Sequence, residues 1–262
     1  MDLKELHKNI GTAKDNRNNP IHDWYRFTAG FSYKLVQKII ELEELGDKDC
    51  IYECFAGCGT TLVSAQKNGI PAVGNEGQEL LYNVIKAKLD WSVNINSLKQ
   101  FMLKIELSIE NGTYEKPYHQ LLKTLYTDSN LFQLYYIRDF ITDSKLENNC
   151  KVFLNLALTQ TLHKVSIHPI AIPYISRSKM LSGNLTAYDT FKNTVFKMIE
   201  DLATVDGMSN CTNIYRHDSR KRNEKIETDS CSISITSPPY LNNLDYGEVS
   251  KVCSHFFGYT ND

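Results

Sequence analysis

The chain has 262 residues, of which 42% are hydrophobic and 23% are charged, a composition typical of a globular protein and not of a disordered or fibrous one. Its formal net charge of −2 excludes the bulk positive charge of a non-specific nucleic-acid binder, so any contact with DNA needs a local basic patch. No apolar stretch approaches the roughly 18 residues that span a bilayer, and the N-terminus lacks a secretory signal, so we expect a cytoplasmic protein without a membrane segment.

Seven cysteines are scattered along the chain, and an odd, scattered set is not typical of a disulfide framework. Cys50, Cys54 and Cys58 lie close together, but the three residues in each gap do not match the spacing of zinc-binding pairs. We therefore expect free thiols and no metal site.

The N-terminal part of the chain predicts a polar arm followed by the opening unit of an α/β sheet. Residues 1–20 are polar and form the arm, and residues 33–45 carry apolar side chains at helical spacing. A strand, a glycine turn, a helix and a second strand follow, over residues 50–55, 56–60, 61–68 and 71–76. This order is the βαβ unit that opens a doubly wound parallel sheet.

Residues 77–210 interrupt this alternation of strands and helices with a mainly helical insertion. Helical spacing of apolar residues predicts five helices, over residues 80–91, 98–109, 131–141, 152–162 and 191–202. The α/β pattern resumes with strands at 212–215 and 232–236, and a helix is predicted over 246–258. We therefore expect one α/β domain formed by residues 21–76 and 211–262.

The loop after the first strand, Phe55-Ala56-Gly57-Cys58-Gly59-Thr60-Thr61, is the first candidate binding site. Its two glycines let the backbone approach a ligand, and the helix start offers free amide groups. The loop lacks both the Gly-Lys-Ser/Thr ending of a P-loop and the third glycine of a dinucleotide fingerprint. Glu76 ends the next strand 17 positions after Gly59, where a ribose-binding carboxylate is expected. A nucleoside cofactor without a phosphate fits best; a plain tight turn beside a solvated glutamate is the alternative.

The segment Thr236-Ser237-Pro238-Pro239-Tyr240 follows the last predicted strand. Its two prolines fix the backbone and hold Ser237 extended, so hydroxyl and carbonyl acceptors can be aimed rigidly beside an aromatic ring. Such acceptors suit the exocyclic amine of a planar base, because they stabilise the positive charge that develops as a methyl group arrives. Taken alone, the segment also fits a simple turn after a strand.

The two motifs together resemble those of the amino-group DNA methyltransferases, and the Ser-Pro-Pro-Tyr form is similar to the N4-cytosine branch. The resemblance implies S-adenosylmethionine as methyl donor, a Rossmann-like sheet with helices on both faces, and a target base flipped out of double-stranded DNA. It assigns the target base to Ser237, Pro238, Pro239 and Tyr240. The cofactor residues that it implies are Phe31, Ser32, Phe55, Ala56, Gly57, Gly59, Thr60, Thr61, Glu76 and Asp218.

The order of the motifs is similar to a family arrangement in which the intervening segment recognises the target, so residues 77–210 are the candidate recognition region. A helical cap over the sheet is an equal alternative. Arg177, Lys179, Arg220 and Arg222 are candidate contacts to DNA phosphates, although runs of charge are usually solvated surface.

The chain departs from the family pattern after the second motif. It ends 22 residues beyond Tyr240, whereas family members continue with three further strands. We expect the catalytic strand at an unpaired edge of the sheet, and a second polypeptide that completes the sheet or a truncated gene product.

The leading hypothesis is methylation of cytosine N4 within a restriction-modification system. N6-adenine methylation is the nearest alternative, followed by protein glutamine or RNA methylation and by an incomplete, non-catalytic subunit. C5 methylation is disfavoured because no cysteine follows a proline.

Overall fold

A computed structural model describes residues 12–27, 29–170, 175, 180–181, 185–239 and 245–259. The chain divides into two compact units. The sheet unit comprises Met1–Trp91 and Asp201–Tyr240, and the helical unit comprises Ser92–Glu200 and Leu241–Asp262. Among the described helices, none combines the length and the hydropathy that a bilayer crossing requires.

The sheet unit contains four parallel strands among its described residues. They are β1 (Ile51–Glu53), β2 (Ala72–Glu76), β3 (Thr212–Arg216) and β4 (Ile233–Ser234). Their order is β3-β2-β1-β4, with Ile51 opposite both Ala72 and Ile233. The predicted α/β fold with a parallel sheet is therefore confirmed, and within the described residues β4 lies at an edge of the sheet, as the sequence predicts for the catalytic strand.

Three α-helices belong to the described part of the sheet unit. They are α1 (Tyr33–Leu42), α2 (Thr60–Lys67) and α3 (Glu79–Leu89). Ser32 caps α1 by accepting a hydrogen bond from the Lys34 amide at 3.2 Å. Helix α2 packs tightly on β2, since a Cβ added at Gly74 would lie 2.9 Å from Leu62 Cδ1.

The last part of the predicted arm is fixed to the start of α1. Residues Ala13–Asn16 form a 3-10 helix, and the Asn16 side chain donates to the Phe31 carbonyl at 3.0 Å and accepts from the Tyr33 amide at 2.8 Å. The Ser32 hydroxyl also donates to Asp15 at 3.0 Å. A second 3-10 helix, His22–Trp24, brings two buried aromatic rings into the core of the unit.

The helical unit is built from six helices within the described residues. They are α4 (Ile95–Ile109), α5 (Gln120–Lys123), α6 (Asp128–Asp143), α7 (Asn148–Lys164), α8 (Ala187–Leu202) and α9 (Tyr246–Phe257). The last two residues of α8 are counted with the sheet unit. Helices α6 and α7 pack against each other through apolar faces that include buried Leu134, Ile141, Phe153 and Leu158.

Candidate functional site

All four strands are parallel, so their carboxyl ends lie at one edge of the sheet, which is where doubly wound sheets bind ligands. Glu53 ends β1 and Glu76 ends β2. Asp218 follows β3 by two residues, and Ser237 follows β4 by three. The fold therefore brings the glycine loop, Glu76, Asp218 and the predicted base-binding motif to the same edge.

The glycine loop joins β1 to α2 in a conformation that requires its glycines. Gly57 has a φ of 55° and Gly59 a φ of 82°, both in the left-handed region that side chains disfavour. A Cβ at Gly57 would lie 3.3 Å from the Phe27 ring, and one at Gly59 would lie 3.1 Å from Ile85 Cγ1. Phe55, at the start of the loop, is 38% exposed, so an aromatic face is available beside it.

Glu76 binds the glycine loop directly. Its Oε2 accepts a hydrogen bond from the Gly57 amide at 2.8 Å, and its Oε1 accepts one from the Gln78 amide at 2.8 Å. Burial raises the pKa of this carboxyl group, and these amide hydrogen bonds oppose the rise. Two of the residues assigned to the cofactor are thus in contact with each other.

Glu53 is a buried carboxyl group that the sequence analysis does not identify. Its side chain is 1% exposed, and burial raises its pKa to about 7, while the hydroxyls of Thr61 and Thr236 and the backbone N–H of Ser237 favour the ionised form. Within the described residues Oε1 has no hydrogen-bond partner. The available signal was an acidic residue at the end of an otherwise apolar strand, immediately before the glycine loop.

The base-binding motif is described up to Pro239. Ser237 is half-buried, whereas Pro238 and Pro239 are exposed. The preceding residue, Thr236, accepts a hydrogen bond from Cys54 Sγ at 3.4 Å, which ties the motif to the end of β1. Tyr240, predicted to stack on the base, lies outside the described residues.

Asp218 and Arg220 form a local ion pair after β3. Arg220 Nε and Nη2 each donate to the Asp218 carboxylate at 2.9 Å, and these bonds hold the Asp218 pKa well below its usual range. Arg222 contacts Thr228 at 3.1 Å and Glu224 at 3.5 Å. The guanidinium groups predicted to contact phosphates therefore have partners within the same loop, and Arg177 and Lys179 lie outside the described residues.

Phe31 and Ser32, which the resemblance assigns to the cofactor, lie immediately before α1. Ser32 is buried, and its hydroxyl is engaged both as the cap of α1 and as the donor to Asp15. Phe31 is half-buried, and its carbonyl accepts from Asn16. The described contacts thus assign Ser32 a role in fixing the N-terminal segment.

Comparisons with known proteins identify relatives of this chain. It is 22% identical to the type II methyltransferase M.BsoBI of Geobacillus stearothermophilus over 276 residues, covering 94% of this chain and 54% of the relative. It is 20% identical to the type II methyltransferase M.MvaI of Kocuria varians over 278 residues, covering 97% of this chain and 61% of the relative. A shorter match, 34% identical over 86 residues, joins 31% of this chain to 18% of the type II methyltransferase M.AvaI of a Nostoc species.

These matches confirm the resemblance to a methyltransferase family that the two motifs indicate, without distinguishing its N4 and N6 branches. The match covers 54% of the length of M.BsoBI and 61% of the length of M.MvaI, so the chain spans little more than half of each of these curated relatives. No family model matches the chain, and no solved structure matches it.

Proposed function

We propose that this chain, a homologue of type II methyltransferases, transfers a methyl group from S-adenosylmethionine to the N4 amine of cytosine in a specific double-stranded DNA sequence. The observation that carries the proposal is the position of Glu53. This buried carboxyl group interacts with Thr61, at the end of the glycine loop, and with Thr236 and Ser237 of the second motif. A cofactor on the loop and a base at the motif would thus share one edge of the sheet.

The residues at this edge fit a positively charged nucleoside cofactor. S-adenosylmethionine supplies, when bound, a methyl group activated by a sulfonium centre. Glu53 is buried and Glu76 is half-buried, burial raises the pKa of both carboxyl groups, and a cation beside them favours their ionised forms. Oε1 of Glu53, which lacks a partner among the described residues, is an acceptor ready for a ligand donor. Gly57, Gly59 and Phe55 would complete the methionine side of the site.

The Ser-Pro-Pro motif would orient the amine of the target base. The Ser237 hydroxyl and the backbone at Pro238 would accept the two amine hydrogens, and this arrangement favours the nucleophilic form of a nitrogen whose lone pair is otherwise delocalised into the ring. Tyr240 would stack on the flipped base. Transfer is direct, without a covalent intermediate on the protein.

Adenine N6 is the alternative methyl acceptor, because the same acceptors suit its exocyclic amine. We also propose that further polypeptide completes the sheet beyond β4. Support comes from the position of this two-residue strand at an edge of the sheet that the described residues form, and from the greater length of the relatives. That polypeptide would be a continuation of this gene product or a separate subunit.

Two measurements test the proposal. Calorimetric titration with S-adenosylhomocysteine, the product that cannot react, should give micromolar binding if the sheet unit holds the cofactor. Incubation with S-adenosylmethionine and mixed-sequence DNA, with and without a candidate completing chain, is then followed by mass spectrometry of the nucleosides. N4-methylcytosine supports the proposal, N6-methyladenine supports the alternative, and absence of cofactor binding by the folded chain refutes both.

A further inference from the structure

Lys88, on α3, is a buried charged residue to which the proposed reaction assigns no role. Its side chain is 1% exposed, and its ammonium group donates to the backbone carbonyl of Cys58 at 3.1 Å and to that of His22 at 3.2 Å. An ammonium group is removed from water only at a large cost unless it is hydrogen-bonded. These two hydrogen bonds and the charge of nearby Asp23 offset the cost of burial, which by itself lowers the pKa of Lys88.

The Cys58 carbonyl belongs to the glycine loop, and both polar groups of the Cys58–Gly59 peptide make hydrogen bonds. The amide of Gly59, in the same peptide plane, donates to the Ala56 carbonyl at 2.8 Å. Because a peptide group is planar and its C=O and N–H point in opposite directions, Lys88 on one side and Ala56 on the other fix its orientation. Gly57 and Gly59, which flank Cys58, both have left-handed backbone angles, and that shape depends on the orientation of this plane.

The second carbonyl, that of His22, belongs to the N-terminal segment, which packs against the glycine loop. The Phe27 ring lies against Gly57, and a Cβ at Gly30 would lie 3.7 Å from Cys58 Sγ. Lys88 thus connects α3, the glycine loop and this N-terminal segment through one group. The neighbouring His22 is kept neutral, since burial and the charges of Lys88 and Lys67 lower its pKa well below its usual value.

We infer that Lys88 is a positioning residue for the cofactor: by holding the Cys58–Gly59 peptide and the His22 carbonyl, it sets the shape of the glycine loop before the ligand binds. The inference rests on the proposed role of that loop in binding S-adenosylmethionine. Without the ammonium group the peptide can rotate, so binding then includes an ordering cost that Lys88 otherwise removes in advance.

The test compares two lysine variants in the same unit. Lys88→Met keeps the length of the side chain and removes the donors. Lys67→Met is the matched control, because the Lys67 ammonium also holds the N-terminal segment, through the Pro20 carbonyl at 2.8 Å and Asn19 at 3.1 Å, and makes none of its hydrogen bonds with the glycine loop. Binding of S-adenosylhomocysteine is measured by calorimetry, and hydrogen exchange is followed on the peptide spanning residues 55–61.

We expect Lys88→Met to weaken binding by about tenfold or more, the equivalent of one charge-assisted hydrogen bond, and to accelerate exchange in residues 55–61. Lys67→Met should change neither, even if both variants unfold at a lower temperature. Lys88→Gln, which keeps a neutral donor, should fall between Lys88→Met and the wild type.

Three outcomes would overturn the inference. They are wild-type affinity in folded Lys88→Met, an equal loss of affinity in the two methionine variants, and failure of both Lys88 variants to fold while Lys67→Met folds. The last outcome would assign Lys88 to overall stability. Absence of binding by the wild-type chain would instead refute the proposed function, so the two failures are distinguishable.

Discussion

Replacing Glu53 by glutamine should stabilise the sheet unit above neutral pH. Burial raises the pKa of Glu53 from 4.5 to about 7. At about 1.4 kcal/mol per pH unit, this shift corresponds to about 3 kcal/mol of folding free energy, which is present below pH 4.5 and lost as the pH rises to 7. Glutamine is neutral at every pH and has nearly the same shape.

The assay is urea unfolding at several pH values between 4.5 and 8, followed by tryptophan fluorescence. Both tryptophans of the chain, Trp24 and Trp91, belong to the sheet unit, so the signal reports on the unit that contains Glu53. The advantage of Glu53→Gln over the wild type should grow from near zero at pH 4.5 to about 3 kcal/mol at pH 8. The control is Glu43→Gln, which removes an exposed carboxylate at the end of α1. Parallel stability curves for Glu53→Gln and the wild type would refute the assignment of a buried, costly carboxyl group.

Other expected outcomes concern the cofactor, the base and the thiols. Gly57→Val should abolish binding of S-adenosylhomocysteine, because valine is disfavoured at a φ of 55°. Tyr240→Ala should abolish methyl transfer but leave the cofactor affinity within a few-fold of that of the wild type. Equal loss of cofactor binding in both variants would contradict the roles proposed. Binding of cationic S-adenosylmethionine should lower the pKa of Glu53 and release part of a proton near pH 6.5, and titrations in buffers of different ionisation enthalpy measure that release. Cys50 and Cys231, with sulfur atoms 3.3 Å apart, should form a disulfide when the protein is treated with oxidised glutathione, which takes up the two electrons and two protons. A mass loss of about 2 Da and a cross-linked peptide would reveal the bond. The Cys231→Ser variant should not form it.

The sequence predicts the architecture well where hydrophobic periodicity carries the signal. The long helices α4, α6, α7 and α8 begin and end within four residues of their predicted limits, because each buries a continuous apolar face. Helix α5 has only four residues, too few for a repeating pattern. Strand β4 is shorter than predicted, with two residues paired, because its partner β1 has only three residues.

The polar residues of the site are predicted less completely. Gly57 and Glu76 follow from the strand–loop–helix pattern, whereas Glu53 does not, because its burial depends on Thr61 and Ser237, which approach it only in the folded sheet. Lys88 lies three and four residues after the buried Ile85 and Val84, so helical spacing puts it on the apolar face of α3, but the spacing does not identify the carbonyls that accept hydrogen bonds from its ammonium group. Its burial is decided by the N-terminal segment folding over the glycine loop.

The strand order also has a consequence for how the chain folds during synthesis. Ile51 pairs with Ala72, which follows it closely along the chain. The other partners, Thr212 for Ala72 and Ile233 for Ile51, are each synthesised more than half a chain length later. At a ribosomal rate of about 10 residues per second, both outer edges of the β1–β2 pair stay open for more than roughly ten seconds. Helices form on a microsecond scale, so α4 to α8, which precede β3 in the chain, have time to form while the sheet contains only β1 and β2. The slow step of folding is then the arrival of β3 and β4, which pair with the two edges of the β1–β2 unit after α4 to α8 have formed.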